Sequence, residues 1–180
     1  MEVTILGAGT IGSTVAYNLT RCGINVRLTD IDSDMSKGHG IDIAHAGAHA
    51  AHPIGRGTTG GSIVAIESGA EAVEKADCIV VTASTDRPVG ANQRGGRKKW
   101  LEDNLGIVAD IARWFRQTTP SPTVVVTNPV DVITYELYRQ SGWPSRYFLG
   151  YSLSETARLV YALGDEYDVQ YKEVSCPVLG

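Results

Sequence analysis

The sequence of 180 residues has little of what marks several common classes of protein. Its three cysteines, Cys22, Cys78 and Cys176, are scattered and odd in number, which argues against a disulfide framework and favours a reducing compartment. No apolar run reaches about 18 residues, and no basic leader precedes the first apolar stretch. The net charge of −4 offers no basic field to a polyanion. We therefore expect a cytoplasmic protein that spans no membrane, carries no signal peptide and binds no nucleic acid.

What the sequence does have is a regular alternation of two patterns. Short β-branched runs predict strands at 3–6, 25–28, 62–66, 78–82, 123–127 and 147–149. Between several of them, apolar residues recur every three or four positions, which is typical of helices. Runs such as CIVV and TVVV fit strands that are buried on both faces. The alternation predicts an α/β fold with a mostly parallel sheet and helices on both of its faces.

The stretch GAGTIG, from Gly7 to Gly12, follows the first predicted strand and opens a helix. In this pattern the first glycine allows a tight turn, Gly9 lets the backbone approach a pyrophosphate, and Gly12 lets the helix pack against the strand. The second predicted strand ends in Asp30, 18 residues after Gly12, where a carboxylate accepts both ribose hydroxyls and repels a 2′-phosphate. The sequence thus predicts a Rossmann-type, doubly wound sheet that binds NAD rather than NADP, with Thr10 and Ile11 also at the cofactor.

Three further segments resemble the lactate/malate dehydrogenase family: KGHGIDIAHA at 37–46, VVTASTDRP at 80–88 and VVVTNPVDV at 124–132. Together with GAGTIG they stand in the family's order. The resemblance covers essentially the whole chain but only the N-terminal part of a family subunit. It implies an NAD-binding domain at 1–149 and the start of a substrate domain at 150–180. It also implies cofactor contacts by Thr82, Ala83, Asn104 and Asn128, and a homo-oligomer, either dimer or tetramer.

The activity that the resemblance implies is hydride transfer between NAD and a 2-hydroxy or 2-keto acid. The segment from Asp86 to Asn104 resembles the family's mobile substrate loop and holds five of the 16 basic residues. Counting back from Asn104, Arg97 is expected to polarise the ketone. Counting forward from Thr82, Arg87 is expected to pair with a second carboxylate, which favours malate and oxaloacetate, a step of the tricarboxylic acid cycle. Because the loop is about four residues longer than the family pattern, Arg94 competes with Arg87 for that role.

Two polar positions allow two interpretations each. Asn128 resembles the family asparagine near the nicotinamide ribose and the substrate oxygen, and it is also placed to cap a helix that starts at Pro129. Glu155 and Arg158 resemble the family's aspartate and arginine on one helix face, which orient the catalytic histidine and bind the substrate carboxylate. Glutamate replaces aspartate here, and Ser152 with Glu155 also forms a capping-box pattern. Arg158 is the expected carboxylate anchor, because no local partner was evident for it.

The family's histidine has no counterpart before Gly180, so we expect this chain to be nearly inactive alone. His39, His45, His49 and His52 cluster elsewhere, and no cysteine or second acid completes a metal site with them. Three functions remain open at this point: a malate-type dehydrogenase, a lactate-type one, and a non-catalytic module that binds NAD. A different Rossmann enzyme that acts on sugar phosphates is a further alternative.

Overall fold

A computed structural model describes residues 1–51, 60–86 and 96–176 of the chain, and within helices it leaves out the side chains of 49–51 and of 96 and 97. The strands are β1 (Glu2–Leu6), β2 (Asn25–Thr29), β3 (Ile63–Ala65), β4 (Cys78–Val81), β5 (Thr123–Val125) and β6 (Phe148–Gly150). The helices are α1 (Thr10–Arg21), α2 (Ser33–Ala51), α3 (Gly69–Glu74), α4 (Gly96–Phe115), α5 (Val130–Ser141) and α6 (Leu153–Tyr167). Short 3-10 turns occur at Ser145–Tyr147 and Tyr171–Glu173.

The six strands form one parallel sheet in the order β3-β2-β1-β4-β5-β6. The order reverses beside β1, because the chain runs outward through β2 and β3 and then returns to β4 on the other side. This is the doubly wound Rossmann topology, and ligands of such sheets bind beyond the carboxyl ends of the strands at the point of reversal. All six predicted strands are confirmed, with ends that differ by one or two residues.

The sheet separates two apolar cores, which explains why its strands are continuously hydrophobic. On one face, Val3, Ile5, Val26 and Leu28 pack with Ala16 of α1 and Ile43 of α2. On the other face, the strand residues Leu6, Ile79, Val81 and Val125 pack against α3, α4 and α5. The second core ends at a stack of two aromatic rings, Phe115 and Trp143, whose centroids lie 4.4 Å apart. Both cores lie beneath the carboxyl ends of β1 and β4 and fix their positions.

The start of α5 differs from its prediction by one residue. Pro129 is the N-cap, with an extended ψ of 115°, so the first helical residue is Val130 and not Pro129. No side chain caps α5, so the prediction that Asn128 does so is wrong. The backbone carbonyl of Asn128 instead accepts a hydrogen bond from the side chain of Asn104 on α4. The peptide bond between Asn128 and Pro129 is cis.

The start of α6 likewise lacks the predicted capping box. Ser152 is the N-cap, but its ψ of 4° lies outside the extended region in which a capping side chain reaches the helix N–H groups, and it makes no such bond. Glu155 pairs with Arg158 instead of turning back to the backbone. Of the residues of α6 only Gly164 is buried, so this helix stands largely clear of the two cores.

Two further predictions concern the whole chain. The cysteines Cys22, Cys78 and Cys176 are all free thiols. Within residues 1–51, 60–86 and 96–176, no helix combines the length and the apolar character that crossing a bilayer would need.

Candidate functional site

The turn between β1 and α1 brings backbone N–H groups to the start of a helix. Gly7 has a φ of +108°, which L side chains rarely adopt, and its N–H donates to the carbonyl of Thr29 at 2.9 Å. Gly9 precedes α1, and among the described residues no side chain caps this helix, no acid occupies its first turn and no atom lies within 4 Å of a Cβ added at Gly9. Thr10 and Ile11 follow and are exposed. The N-terminus of α1 is thus open and electropositive, as an anion site requires.

Gly12 and Thr82 hold this turn against the end of β4. A Cβ added at Gly12 would overlap the carbonyl oxygen of Gly7 and lie 2.8 Å from the hydroxyl oxygen of Thr82. That hydroxyl donates to the carbonyls of Leu6 and Gly7, with distances of 3.1 and 2.9 Å. The backbone of Ala83 lies 2.5 Å from a Cβ added at Gly7. The prediction that Gly12 permits close packing is therefore confirmed, and Thr82 supports the turn from behind.

Asp30 directly follows β2 and fixes the same turn from the other side. Its Oδ2 accepts a hydrogen bond of 2.6 Å from the N–H of Ala8, and its Oδ1 accepts one of 3.0 Å from the N–H of Asp32. Asp30 is half-buried and lines a cavity beside the turn. Sequence reasoning gave this carboxylate a role at the ribose but missed its bond to the glycine-rich turn. The same side chain therefore joins β2 to the phosphate site.

A cavity of about 360 Å³ opens next to Asp30, between the carboxyl ends of β1, β2 and β4 and the helix α4. Its walls include Ala83, Ser84 and Ile31, while Glu67 and Gly69 contribute from the connection that follows β3. Helix α4 contributes residues at helical spacing, namely Ile107, Asp110, Ile111 and Trp114. Its position at the reversal of strand order and its mostly apolar walls suit a nucleoside.

Sequence reasoning missed the contributions of Glu67 and Trp114 to this cavity. The signal for Trp114 was its spacing of three residues from Ile111 and seven from Ile107 along α4, which puts all three on one face. A Cβ added at Gly69 would meet the Trp114 ring at less than van der Waals distance, so glycine there makes room for the indole. Nothing in the sequence indicated that Glu67, from a different element, shares this wall.

Asn104 is fully buried and ties together the ends of two strands. Its Oδ1 accepts hydrogen bonds from the N–H and the hydroxyl of Thr85, at 2.8 and 3.2 Å, and its Nδ2 donates to the Asn128 carbonyl at 3.2 Å. The indole N–H of Trp100 donates to the Thr85 carbonyl at 3.2 Å. We call these bonds of Thr85 to Trp100 and Asn104 the Thr85 clasp. The clasp holds the segment after β4 on the first turns of α4.

The predicted substrate-loop residues lie at the edge of what is described. Arg87 and Arg94 fall in 87–95, outside the described residues. Arg97 lies in the first turn of α4, but its side chain is also outside the description. Lys98 and Lys99 are exposed and pair with Glu102 and Asp103, one helical turn further on. Lys98 and Lys99 therefore form ion pairs on the exposed surface of α4, as opposite charges at i and i+4 commonly do.

Glu155 and Arg158 face each other on α6. A nitrogen of the Arg158 guanidinium donates to Glu155 Oε1 at 2.6 Å, and the two side chains are 72% and 53% exposed for arginine and glutamate. The expectation that Arg158 has no local partner is wrong, because the i, i+3 spacing brings the two side chains together. The side chain of Asn128, by contrast, is exposed at the carboxyl end of β5. The described structure does not bring it into contact with Arg158.

The described histidines, His39 and His45, lie on α2, on the β3 side of the sheet. His49 and His52 have side chains outside the described residues. Within the part of the chain that the structure describes, no three His, Cys, Asp or Glu side chains stand close enough to hold a metal ion.

A glycine-rich turn at an open helix N-terminus, an acid at the end of the second strand and a nucleoside-sized cavity at the strand reversal define a dinucleotide-binding domain of the Rossmann class. The sequence profile described as "lactate/malate dehydrogenase, NAD binding domain" matches residues 1–150. The chain belongs to the lactate/malate dehydrogenase family, a family of NAD-dependent oxidoreductases, and this domain binds NAD.

Relatives of both kinds are similar to the chain. The malate dehydrogenase of Aeropyrum pernix is 30% identical over 99% of this chain and 55% of its own length. The solved structure of the malate dehydrogenase from Aeropyrum pernix superposes with a TM-score of 0.80 at 28% identity, and the match covers 96% of this chain and 53% of that one. An L-lactate dehydrogenase of Clostridium botulinum is 25% identical over 99% of this chain and 53% of its own length. The chain spans about half the length of the curated relatives that it matches.

A lactate dehydrogenase from Cryptosporidium parvum, solved with lactic acid and nicotinamide adenine dinucleotide, shares the fold. It has a TM-score of 0.79 and 22% identity, and the match covers 97% of this chain and 52% of that one. Because lactate and malate enzymes match alike, the comparisons leave the substrate of this chain undecided.

Proposed function

We propose that the chain is the cofactor-binding portion of a malate-type dehydrogenase that interconverts malate and oxaloacetate with NAD. The observation that carries the enzyme class is the intact dinucleotide site: the open N-terminus of α1 behind Gly9, the Asp30 carboxylate and the cavity beside it. The pyrophosphate then lies over Gly9, the adenosine ribose at Asp30 and the base in the cavity toward α4. Asn104 supports this arrangement from within the core, through the two backbone segments that it joins.

The proposed division of the chain is an NAD-binding domain at 1–149 and the beginning of a substrate domain at 150–180. The exposure of α6 supports this division, because α6 adds no residue to either core of the first domain. Tyr161 of α6 packs on Tyr171 of the same segment, with ring centroids 4.0 Å apart. Association into a dimer or tetramer is proposed on the resemblance alone.

Bound NAD supplies the hydride acceptor or donor, and the chain's own groups bind and orient the keto acid. Arg97, at the head of α4, polarises the ketone oxygen by charge-assisted hydrogen bonding. Asn128, exposed at the end of β5, donates to the same oxygen. Arg158 binds the 1-carboxylate. Glu155 already accepts one hydrogen bond from that guanidinium at 2.6 Å, and it orients the rest of the group.

The choice of malate over lactate rests on Arg87, with Arg94 as its rival. A guanidinium pairs bidentately with a second carboxylate, which oxaloacetate has and pyruvate lacks. In the full-length gene product we expect NADH oxidation with oxaloacetate to exceed that with pyruvate. Arg87→Gln should reduce the preference by at least about tenfold, and Arg94→Gln serves as the matched substitution in the same loop. A wild-type preference for pyruvate would refute the substrate assignment.

One observation favours a second function, a module that binds NAD without turnover. Both described histidine side chains lie on α2, which packs on β3 and β2, whereas Asn128 follows β5 near the other end of the sheet, so no described histidine stands beside Asn128. We expect the 180-residue chain to bind NADH in a calorimeter and to be nearly inactive in a turnover assay. If the full-length gene product also binds NADH and turns over neither keto acid, the non-catalytic function is the correct one.

A further inference from the structure

We propose that the ion pair between Lys37 and Glu67 is a second determinant of cofactor choice, beside Asp30, and that it keeps dinucleotides with a 2′-phosphate out of the site. The proposal goes beyond the dehydrogenase function, but it rests on the proposed placement of the adenosine ribose at Asp30. It assigns specificity to two exposed side chains, one on α2 and one after β3, that belong to different elements and meet at the cavity wall.

The geometry places a positive charge beside Glu67, on the side of the cavity that also holds Asp30. Glu67 lines the same cavity as Asp30 and Ile31. The Lys37 ammonium lies 2.6 Å from Glu67 Oε1, so it stands next to a residue of the cavity wall, although Lys37 does not itself line the cavity. The hydrogen bond and the attraction between these groups raise the pKa of Lys37 and lower the pKa of Glu67. Both groups therefore stay charged through the neutral range, and the carboxylate neutralises the ammonium.

A second possible anchor for a phosphate near the ribose is also occupied by the chain itself. The N-terminus of α2, which begins three residues after Asp30, would favour an anion. There, however, Asp32 Oδ1 accepts hydrogen bonds from the N–H groups of Asp34 and Met35, at 3.0 and 3.2 Å. Lys37 and the α2 N-terminus are thus each matched with a carboxylate of the protein. A 2′-phosphate is therefore disfavoured in two ways: Asp30 repels it, and the two positive groups that could bind it are already paired with carboxylates of the protein.

Removing the charge of Glu67 while keeping its shape should leave the Lys37 ammonium without its ion-pair partner and available to bind a phosphate. Glu67→Gln is expected to tighten binding of NADPH by about three- to tenfold, a modest change because exposed charges are screened by solvent. Binding of NADH, which has a hydroxyl at that position, should change less than binding of NADPH, so that the ratio of the two affinities shifts. Lys37→Met in the Glu67→Gln background should return the affinity for NADPH to the wild-type value.

The experiment measures dissociation constants of the full-length gene product by calorimetry. The probes are NADH and NADPH, and, for weak binding, AMP against adenosine 2′,5′-bisphosphate. Glu74→Gln is the matched control: Glu74 is exposed on α3, does not line the cavity, and its substitution changes the net charge by the same amount. The proposal is supported if Glu67→Gln alone improves the ratio of phosphorylated to unphosphorylated ligand and Lys37→Met reverses the gain.

It is overturned if Glu67→Gln leaves that ratio unchanged for both pairs of probes, if Glu74→Gln changes it equally, or if Lys37→Met does not reverse it. These outcomes differ from a failure of the dinucleotide site itself. In that case neither NADH nor AMP would bind the wild-type protein, and the placement of the ribose at Asp30 would be refuted first.

Discussion

Replacement of Asn104 by leucine tests whether the buried amide between β4 and β5 is a structural junction. Leucine has a similar volume and can occupy the same place among the apolar residues of α4, but it neither accepts nor donates a hydrogen bond. The N–H of Thr85 and the carbonyl of Asn128 then lose partners that now lie at 2.8 and 3.2 Å. The hydroxyl of Thr85 loses its acceptor as well.

The expected cost follows from these two backbone groups. A buried polar group left without a partner costs about 1–3 kcal/mol, and the lower part of that range applies to both groups because Thr85 is only half-buried and Asn128 is exposed. The two together predict a loss of about 2–4 kcal/mol in the free energy of unfolding, after some gain from the added apolar surface of leucine. For a chain of this length that corresponds to a fall of roughly 5–15 °C in Tm.

Urea denaturation followed by circular dichroism measures this change directly. Asn18→Leu is the matched control, since Asn18 is exposed on α1 and its amide only donates to a carbonyl within the same helix. That control should stay within about 0.5 kcal/mol of wild type. A value equally small for Asn104→Leu would refute the conclusion that its amide holds the two strand ends together.

Three further predictions concern single residues. Gly12→Ala should lower the free energy of unfolding by at least about 2 kcal/mol and weaken NADH binding more than about tenfold, because the new methyl group overlaps the Gly7 carbonyl. Normal NADH binding by this variant would contradict the packing described. Burial raises the pKa of the Cys78 thiol. The neutral thiol therefore contributes its full stability below the unfolded-state pKa, and this contribution is lost as pH rises from about 8.5 through the folded-state pKa. Cys78→Ala should flatten that decline in unfolding experiments, and iodoacetamide should modify Cys78 more slowly than the exposed Cys22. Trp114→Ala should weaken AMP and NADH by about 1–3 kcal/mol and leave reduced nicotinamide mononucleotide unaffected, and equal weakening of all three would show that the indole does not contact the base.

The fold was largely predictable because its signals are local. Strands buried on both faces leave continuous apolar runs, and the glycine pattern at Gly7–Gly12 lies within six consecutive residues. The helix starts were less predictable. Ser152 has the residue type and spacing of a cap, yet its backbone angle of 4° in ψ prevents the bond. Propensity indicates which residues can cap a helix, but the backbone path set by packing decides whether they do.

The residues of the candidate site were likewise predictable only where their signal is local in the sequence. Asp30 was identified because a strand end and a glycine pattern stand at a known distance in sequence. Glu67 and Trp114 were not, because they reach the cavity only after β3 and α4 have been brought beside β2 and β4. The ion pair of Arg158 with Glu155 follows from local spacing alone, because residues at i and i+3 of a helix are neighbours, and the family resemblance does not indicate it.

The bonds of Thr85 to Trp100 and Asn104 have a consequence for how the family can vary. They join the two ends of the 86–96 segment independently of what lies between, so a gain or loss of residues there leaves β4 and α4 in register. Doubling the length of a closed loop costs only about 0.6 kcal/mol in entropy. The resemblance predicts that the segment is about four residues longer here than in the family pattern. With the substrate bound at this segment, as proposed above, lengthening it would alter substrate recognition while the cofactor site stays intact, so that specificity could diverge within one unchanged scaffold.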